Sequence, residues 1–101
     1  EIGKVITDMN LDYDEITTWT TDGFFRETSK KVKQFQKLGA ATVEMECAAI
    51  AACAQFRKVE FAQILFTADS LANIENYDYR NWGHESHAVG LDVCSQILSR
   101  I

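Results

Sequence analysis

The chain has 101 residues, of which 47% are hydrophobic and 25% charged, and this balance excludes an intrinsically disordered protein. Fifteen acidic residues against ten basic ones give a net charge of −5, which disfavours a protein that binds nucleic acid through its phosphates. No apolar run approaches the ~20 residues of a membrane span. The charge and the short apolar runs together predict that neither nucleic acid nor a membrane is a partner.

The first residue is Glu1 rather than Met, and no pattern typical of a signal peptide follows it. We therefore expect the chain to begin inside a longer protein, as a fragment, a processed product or a trimmed chain. The three cysteines, Cys47, Cys53 and Cys94, form no C-x-x-C pair. This pattern favours reduced, buried thiols in a cytoplasmic protein.

The first elements of the chain are short and apolar. Residues 4–9 include Val5 and Ile6 and predict a strand, and residues 10–15 are polar and predict a turn. The run I-T-T-W-T-T at 16–21 is rich in β-branched and aromatic residues, which predicts a second strand.

A helix is predicted next. Thr28 or Ser29 is a suitable N-cap, and the helix runs to about Leu38 with Val32 on its apolar face. Gly39 is a natural end for it, because glycine adopts the left-handed conformation that commonly follows a helix.

The remaining segments continue the alternation. Residues 41–45 predict a strand, and residues 46–57 a helix whose small side chains suit tight packing between other elements. The apolar run at 59–66 predicts a central strand covered on both faces. Residues 67–82 predict a loop, and residues 83–100 a second amphipathic helix. Strands that alternate with helices indicate an α/β layered sheet.

Ligands of open α/β sheets bind beyond the carboxyl ends of the strands, which gives candidate sites at residues 20–28, 43–47 and 67–72. In the second, Glu44 and Glu46 flank Met45 and share a face if the segment is extended. Glu46 either complements the positive end of the following helix or accepts hydrogen bonds from a vicinal diol such as that of ribose.

Three further motifs leave similar alternatives open. Asp69 follows the most apolar segment and is either a turn or cap residue or a general acid or base. Phe24 and Phe25 either pack in the core or present a stacking surface for a planar base. His84 and His87 lack the spacing of a zinc protease motif, so no metal site is expected.

These motifs, read together, resemble the C-terminal part of the nucleoside phosphorylase-I superfamily. The resemblance covers nearly all of the chain, and residues 1–101 are expected to form the C-terminal part of one phosphorylase-like domain. That superfamily includes purine nucleoside phosphorylases, uridine phosphorylases and related nucleosidases. The segments that carry the resemblance are V-E-M-E-C-A-A-I-A-A, T-A-D-S-L, W-T-T-D-G-F-F-R-E-T and E-S-H-A-V.

The resemblance implies a three-layer α/β sandwich, of which this chain is the C-terminal part. It implies that Met45 packs against the ribose of a nucleoside and that Glu46 binds the 2′ and 3′ hydroxyls. Glu44 is then close by and orients the site, and Phe24 packs on the base or the sugar, with Phe25 a weaker candidate.

The base side of the site follows from the same resemblance. Asp69 is similar to the acid that donates a proton to N7 of a purine leaving group, and Arg80 to the arginine that assists it, although the spacing between them matches only approximately. Ala68 departs from the serine that commonly precedes that aspartate, and one hydrogen bond near the base is lost with it.

The implied activity is phosphorolytic cleavage of a nucleoside to base and ribose 1-phosphate, without a metal or organic cofactor. Phosphate is a co-substrate, and the family binds it through a glycine-containing loop and arginines that are expected before Glu1. The expected partners are a small-molecule nucleoside, the N-terminal part of the fold and further copies of the chain in a dimer or hexamer.

Two alternatives remain beside this one. A nucleosidase of the same superfamily uses water in place of phosphate, and a truncated, non-catalytic homologue acts as an oligomer or interaction module. If the phosphate site lies before Glu1, the 101 residues alone are expected to show no appreciable phosphorolysis, because the nucleophile is then neither bound nor aligned.

Overall fold

The computed structural model describes residues 1–68, 70–71 and 80–101, and for residues 80 and 82 the backbone alone. Its residues fall into two compact units, one of residues 15–63 and one of residues 1–14 and 64–101. In chain order the elements are helix α1 (Ile2–Asp8), strand β1 (Thr17–Thr20), helix α2 (Ser29–Lys37), strand β2 (Ala40–Glu44), helix α3 (Cys47–Arg57) and helix α4 (His87–Arg100), with 3₁₀ segments at Phe24–Arg26 and Arg80–Ser86.

A parallel pair of strands organises the unit of residues 15–63. Strand β1 pairs with β2 so that Trp19 lies opposite Val43 and Thr20 lies opposite Glu44. The connection between the two strands runs through α2, as parallel pairing requires a crossover. The Trp19 ring stacks on Phe35 of α2, with ring centroids 4.3 Å apart. Helices combined with a small parallel sheet confirm the predicted α/β class.

Helix α2 begins and ends where its sequence indicated. Thr28 is the N-cap, and its hydroxyl accepts a hydrogen bond from the backbone N–H of Lys31 at 3.4 Å. Val32 is the buried residue of the helix. Gly39 has φ +85°, a left-handed conformation that glycine adopts without the steric cost that a Cβ would bring.

Helices α1 and α4 form the core of the other unit. Val5 and Ile6 of α1 pack with Val93 and Ile97 of α4, and all four side chains are buried. The strand predicted at 4–9 is therefore wrong. Adjacent residues of a strand point to opposite faces, whereas a helix lets Val5 and Ile6 share one core with Ile2.

The predicted second amphipathic helix is shorter than expected. Helix α4 begins at His87, four residues after the predicted start, and a 3₁₀ segment precedes it. Asn81 and Gly83 have φ values of +49° and +71°, which are incompatible with a regular right-handed helix. Val93 and Ile97 are buried, whereas Val89 is 50% exposed.

The central strand predicted at 59–66 is also wrong. The segment is without regular structure, and Val59 is 60% exposed. A buried strand needs hydrogen-bonded neighbours, and the strands in the described part of the chain are β1 and β2, which pair with each other. The predicted loop at 67–82 lies largely outside the described residues.

The predicted burial of α3 and of the thiols is wrong as well. None of the eleven residues of α3 is buried, and Phe56 is 84% exposed. All three cysteines are free thiols, but Cys47 is half-buried and Cys53 and Cys94 are exposed. Small apolar side chains allow a helix to pack closely, but other elements must supply the surface that it packs against.

Within the residues described, no helix combines the length and the apolar character that a membrane crossing requires.

Candidate active site

The carboxyl ends of the two parallel strands bring the candidate residues of unit 15–63 to one edge. Thr20 and Glu44 are the last residues of β1 and β2 and lie opposite each other. One residue further on, the backbone N–H of Thr21 donates to the carbonyl oxygen of Glu44 at 2.8 Å. The segments that begin at Thr21 and Met45 therefore leave the sheet side by side, in the position where α/β sheets bind ligands.

Glu44 holds the start of helix α3. One carboxylate oxygen, Oε2, accepts hydrogen bonds from the backbone N–H groups of Glu46 at 2.8 Å and Cys47 at 2.6 Å. The other oxygen, Oε1, accepts a hydrogen bond from the hydroxyl of Thr20. The carboxylate thus ties the end of β1 to the first amides of α3, which have no partner within the helix.

The environment of Glu44 favours the ionised carboxylate. Partial burial raises the pKa of Glu44, but hydrogen bonds from Thr20, from the backbone of Cys47 and Glu46 and from the side chain of Gln63 outweigh it. The pKa of Glu44 therefore lies below its ordinary value of 4.5.

Glu46 occupies the N-cap position of α3, yet its side chain makes no capping hydrogen bond. Its oxygen Oε2 accepts a hydrogen bond from the adjacent N–H of Met45 at 3.2 Å. The side chain of Glu46 is exposed, and Met45 is 44% exposed. Of the two carboxylates, Glu44 satisfies the helix amides, and Glu46 is left at the surface of the strand edge.

Phe24 and Phe25 lie in the 3₁₀ segment that follows β1. Their rings meet edge to face, with centroids 5.9 Å apart, and the side chains are 76% and 73% exposed. Core packing, the simpler of the two sequence interpretations, does not describe them in this structure. Exposed aromatic rings beyond the end of a strand are available to a planar ligand.

The base-side candidates predicted from the sequence are Asp69 and Arg80. Asp69 lies outside the described residues. Arg80 is the first residue of the 3₁₀ segment Arg80–Ser86, and the structure describes its backbone but not its side chain. The rings of His84 and His87 lie 5.5 Å apart. Within the part of the chain that the structure describes, no group of three or more His, Cys, Asp or Glu residues could hold a metal ion.

Thr20 lies in the candidate segment 20–28, but the sequence motifs assigned no role to it. Its hydroxyl donates to Glu44 and accepts a hydrogen bond from the N–H of Ala48 in α3 at 3.2 Å. The sequence indicates part of this arrangement, because Thr20 is the penultimate residue of the strand predicted at 16–21 and Glu44 is the penultimate residue of the one predicted at 41–45. The strand register that makes them partners is visible only in the fold.

The candidate carboxylates and aromatic rings lie at the carboxyl edge of a crossover-connected pair of parallel strands, the edge at which α/β proteins bind small molecules. The family model described as the phosphorylase superfamily matches residues 1–98, and the chain belongs to this superfamily. The family predicted from the sequence is thereby confirmed. No curated protein and no solved structure matches the chain.

The lowered pKa of Glu44 carries a testable consequence for stability. Glu44→Gln is expected to reduce the free energy of unfolding at pH 7 by about 1 kcal/mol, because hydrogen bonds to a charged acceptor weaken when the charge is removed. The charged carboxylate contributes stability above the ordinary pKa of 4.5, and this contribution is lost as the pH falls through the lowered value of the folded state.

Urea unfolding at about pH 7, 5 and 3 measures this effect. The difference between wild type and Glu44→Gln is expected to shrink below about pH 5. Glu60→Gln is the matched control, because Glu60 is an exposed carboxylate in the same unit. A difference that is the same at all three pH values would show that the charge of Glu44 does not stabilise the fold.

Proposed function

We propose that this chain supplies the ribose- and base-binding part of a nucleoside phosphorylase, which cleaves the N-glycosidic bond with phosphate. One observation carries the proposal beyond family membership. Because Glu44 satisfies the amides at the start of α3, the carboxylate of Glu46 is left exposed at the carboxyl edge of the parallel strands. An exposed carboxylate with Met45 beside it suits a sugar that offers a diol on one side and an apolar face on the other.

On the sugar side, two carboxylate oxygens of Glu46 accept hydrogen bonds from the 2′ and 3′ hydroxyls. Met45 packs against the ribose, and Phe24 packs on the base or the sugar. As the glycosidic bond breaks, positive charge develops on the ribose, and a fixed carboxylate stabilises it. Glu44, held in its ionised form, orients this part of the site.

On the base side, Asp69 is the proposed acid. It donates a proton to N7 of a purine as negative charge builds on the leaving base, and Arg80 assists it. This assignment is supported by the resemblance of T-A-D-S-L to the family motif. In this scheme phosphate is the nucleophile and no metal or organic cofactor takes part.

Phosphate dependence tests the proposal. The full-length protein that contains this chain is incubated with inosine, adenosine or uridine, with and without phosphate. Release of base is expected to require phosphate and to yield one ribose 1-phosphate per base. The rate without phosphate is expected to be lower by at least about 100-fold, because a bound and aligned nucleophile contributes at least that much.

Two other results would each contradict the proposal in a different way. Release of base at the same rate without phosphate, with free ribose as the product, would identify a hydrolytic nucleosidase. No release from any nucleoside under either condition, in protein shown to be folded by circular dichroism, would favour a non-catalytic homologue.

A further inference from the structure

Thr20 joins three elements through a single hydroxyl group. It is the last residue of β1, its Oγ1 donates to the carboxylate of Glu44 at the end of β2, and the same oxygen accepts from the N–H of Ala48 in α3 at 3.2 Å. A hydroxyl has one hydrogen to donate and lone pairs to accept with, so both bonds form at once.

Thr20 and Glu44 together satisfy consecutive amides at the start of α3. Glu44 accepts from Glu46 and Cys47, and Thr20 accepts from Ala48. The backbone of Glu46 is thus fixed by side chains that lie outside the helix. Its own side chain makes no capping bond and stays exposed.

We propose that Thr20 is a positioning residue, whose hydroxyl locks the Glu44 carboxylate and thereby fixes Glu46 for binding the ribose diol. This inference rests on the proposed function and adds a residue to it. Thr20 itself touches no substrate in this scheme, and it acts through Glu44 and the first turn of α3. Its loss lets the Glu44 carboxylate rotate and loosens the backbone from which Glu46 projects.

The expected consequence is selective for the sugar. Thr20→Val keeps the shape and the β-branching of the side chain but removes both hydrogen bonds. In the full-length protein it is expected to lower kcat/KM for a ribonucleoside about 5- to 50-fold. For the 2′,3′-dideoxy analogue, which lacks the diol, the loss is expected to stay within about 3-fold.

Two variants provide the controls. Thr20→Ser retains the hydroxyl and is expected to restore the ribonucleoside kcat/KM to within about 3-fold of wild type. The hydroxyl of Thr18 lies on the same face of β1 and donates to the carbonyl oxygen of Thr42 at 3.3 Å. Thr18→Val removes this hydroxyl and is expected to preserve the ratio of kcat/KM between the two substrates. If Thr20→Val does not fold, Thr20→Ala, which removes the same hydroxyl without adding bulk, takes its place.

The measurement is kcat and KM for inosine or uridine, whichever the wild type cleaves faster, and for its 2′,3′-dideoxy analogue. Equal losses on both substrates in an active protein would overturn the positioning role and leave the proposed function standing. A Thr20→Ser variant as impaired as Thr20→Val would overturn it as well. A wild type that cleaves no nucleoside would overturn the proposed function and, with it, this inference.

Discussion

Glu46→Gln is expected to lower kcat/KM for nucleosides by about 10- to 100-fold in the full-length protein, with little change in thermal unfolding. The carboxylate is proposed to grip two hydroxyls whose hydrogen bonds strengthen as positive charge develops on the sugar. The amide retains the shape of the side chain but loses its charge and one of its two acceptors. Steady-state kinetics and a melting curve on the same preparation check both halves of the expectation.

Glu44→Gln is the informative comparison for Glu46→Gln. Glu44 binds the helix amides, so its variant is expected to lose stability as well as activity, whereas Glu46 contributes little to the fold. If Glu46→Gln instead keeps full activity and melts lower, Glu46 acts only on the helix dipole, an interaction that contributes about 0.3–1 kcal/mol. That result would contradict the binding role of Glu46, on which the proposed function rests.

The β1–α2–β2 unit could be predicted from the sequence because each of its boundaries is a local matter. Thr28 caps the helix through its own side chain, and Gly39 adopts the left-handed conformation directly after it. The threonines and the tryptophan of β1 favour an extended backbone wherever they lie. None of these features depends on a partner that is distant in the chain.

The predictions that were wrong concern segments whose secondary structure depends on residues distant in the chain. Residues 59–66 are apolar enough for a central strand, but the described strands leave this segment unpaired. Residues 4–9 were too short for their period to decide between strand and helix, and packing against Val93 and Ile97 decided for helix. Composition indicates that a segment can be buried, and pairing and packing determine what form it takes.

The two carboxylates of the V-E-M-E motif show the same limit within the site. Their spacing left open which of them serves the helix and which faces a ligand. The register of β1 against β2 places Thr20 beside Glu44, and this contact turns Glu44 toward the amides of α3. Glu46 is exposed as a consequence, so its availability to a substrate follows from strand pairing that no local pattern records.

The acid role of Asp69 can be separated from a structural one by the choice of base. Asp69→Asn is expected to reduce kcat for inosine and adenosine by about 10²–10⁴-fold, since an amide can donate a hydrogen bond but cannot transfer a proton to N7. Uracil has no N7, so cleavage of uridine is expected to suffer far less. Ala68 and Ser70, which flank Asp69 in the chain, offer no replacement acid.

The experiment measures kcat and kcat/KM for the three nucleosides between about pH 5 and 9 in the full-length protein. Asp92→Asn is the control variant, because Asp92 is an exposed carboxylate. If Asp69 transfers a proton, the loss on the purine nucleosides is expected at every pH in this range, because the amide cannot donate a proton to N7 at any of them. The uridine profile is expected to keep its shape, since no proton reaches N7 in that reaction. Equal losses of kcat on all three nucleosides would instead indicate that Asp69 is a structural turn residue. That result would favour a uridine phosphorylase.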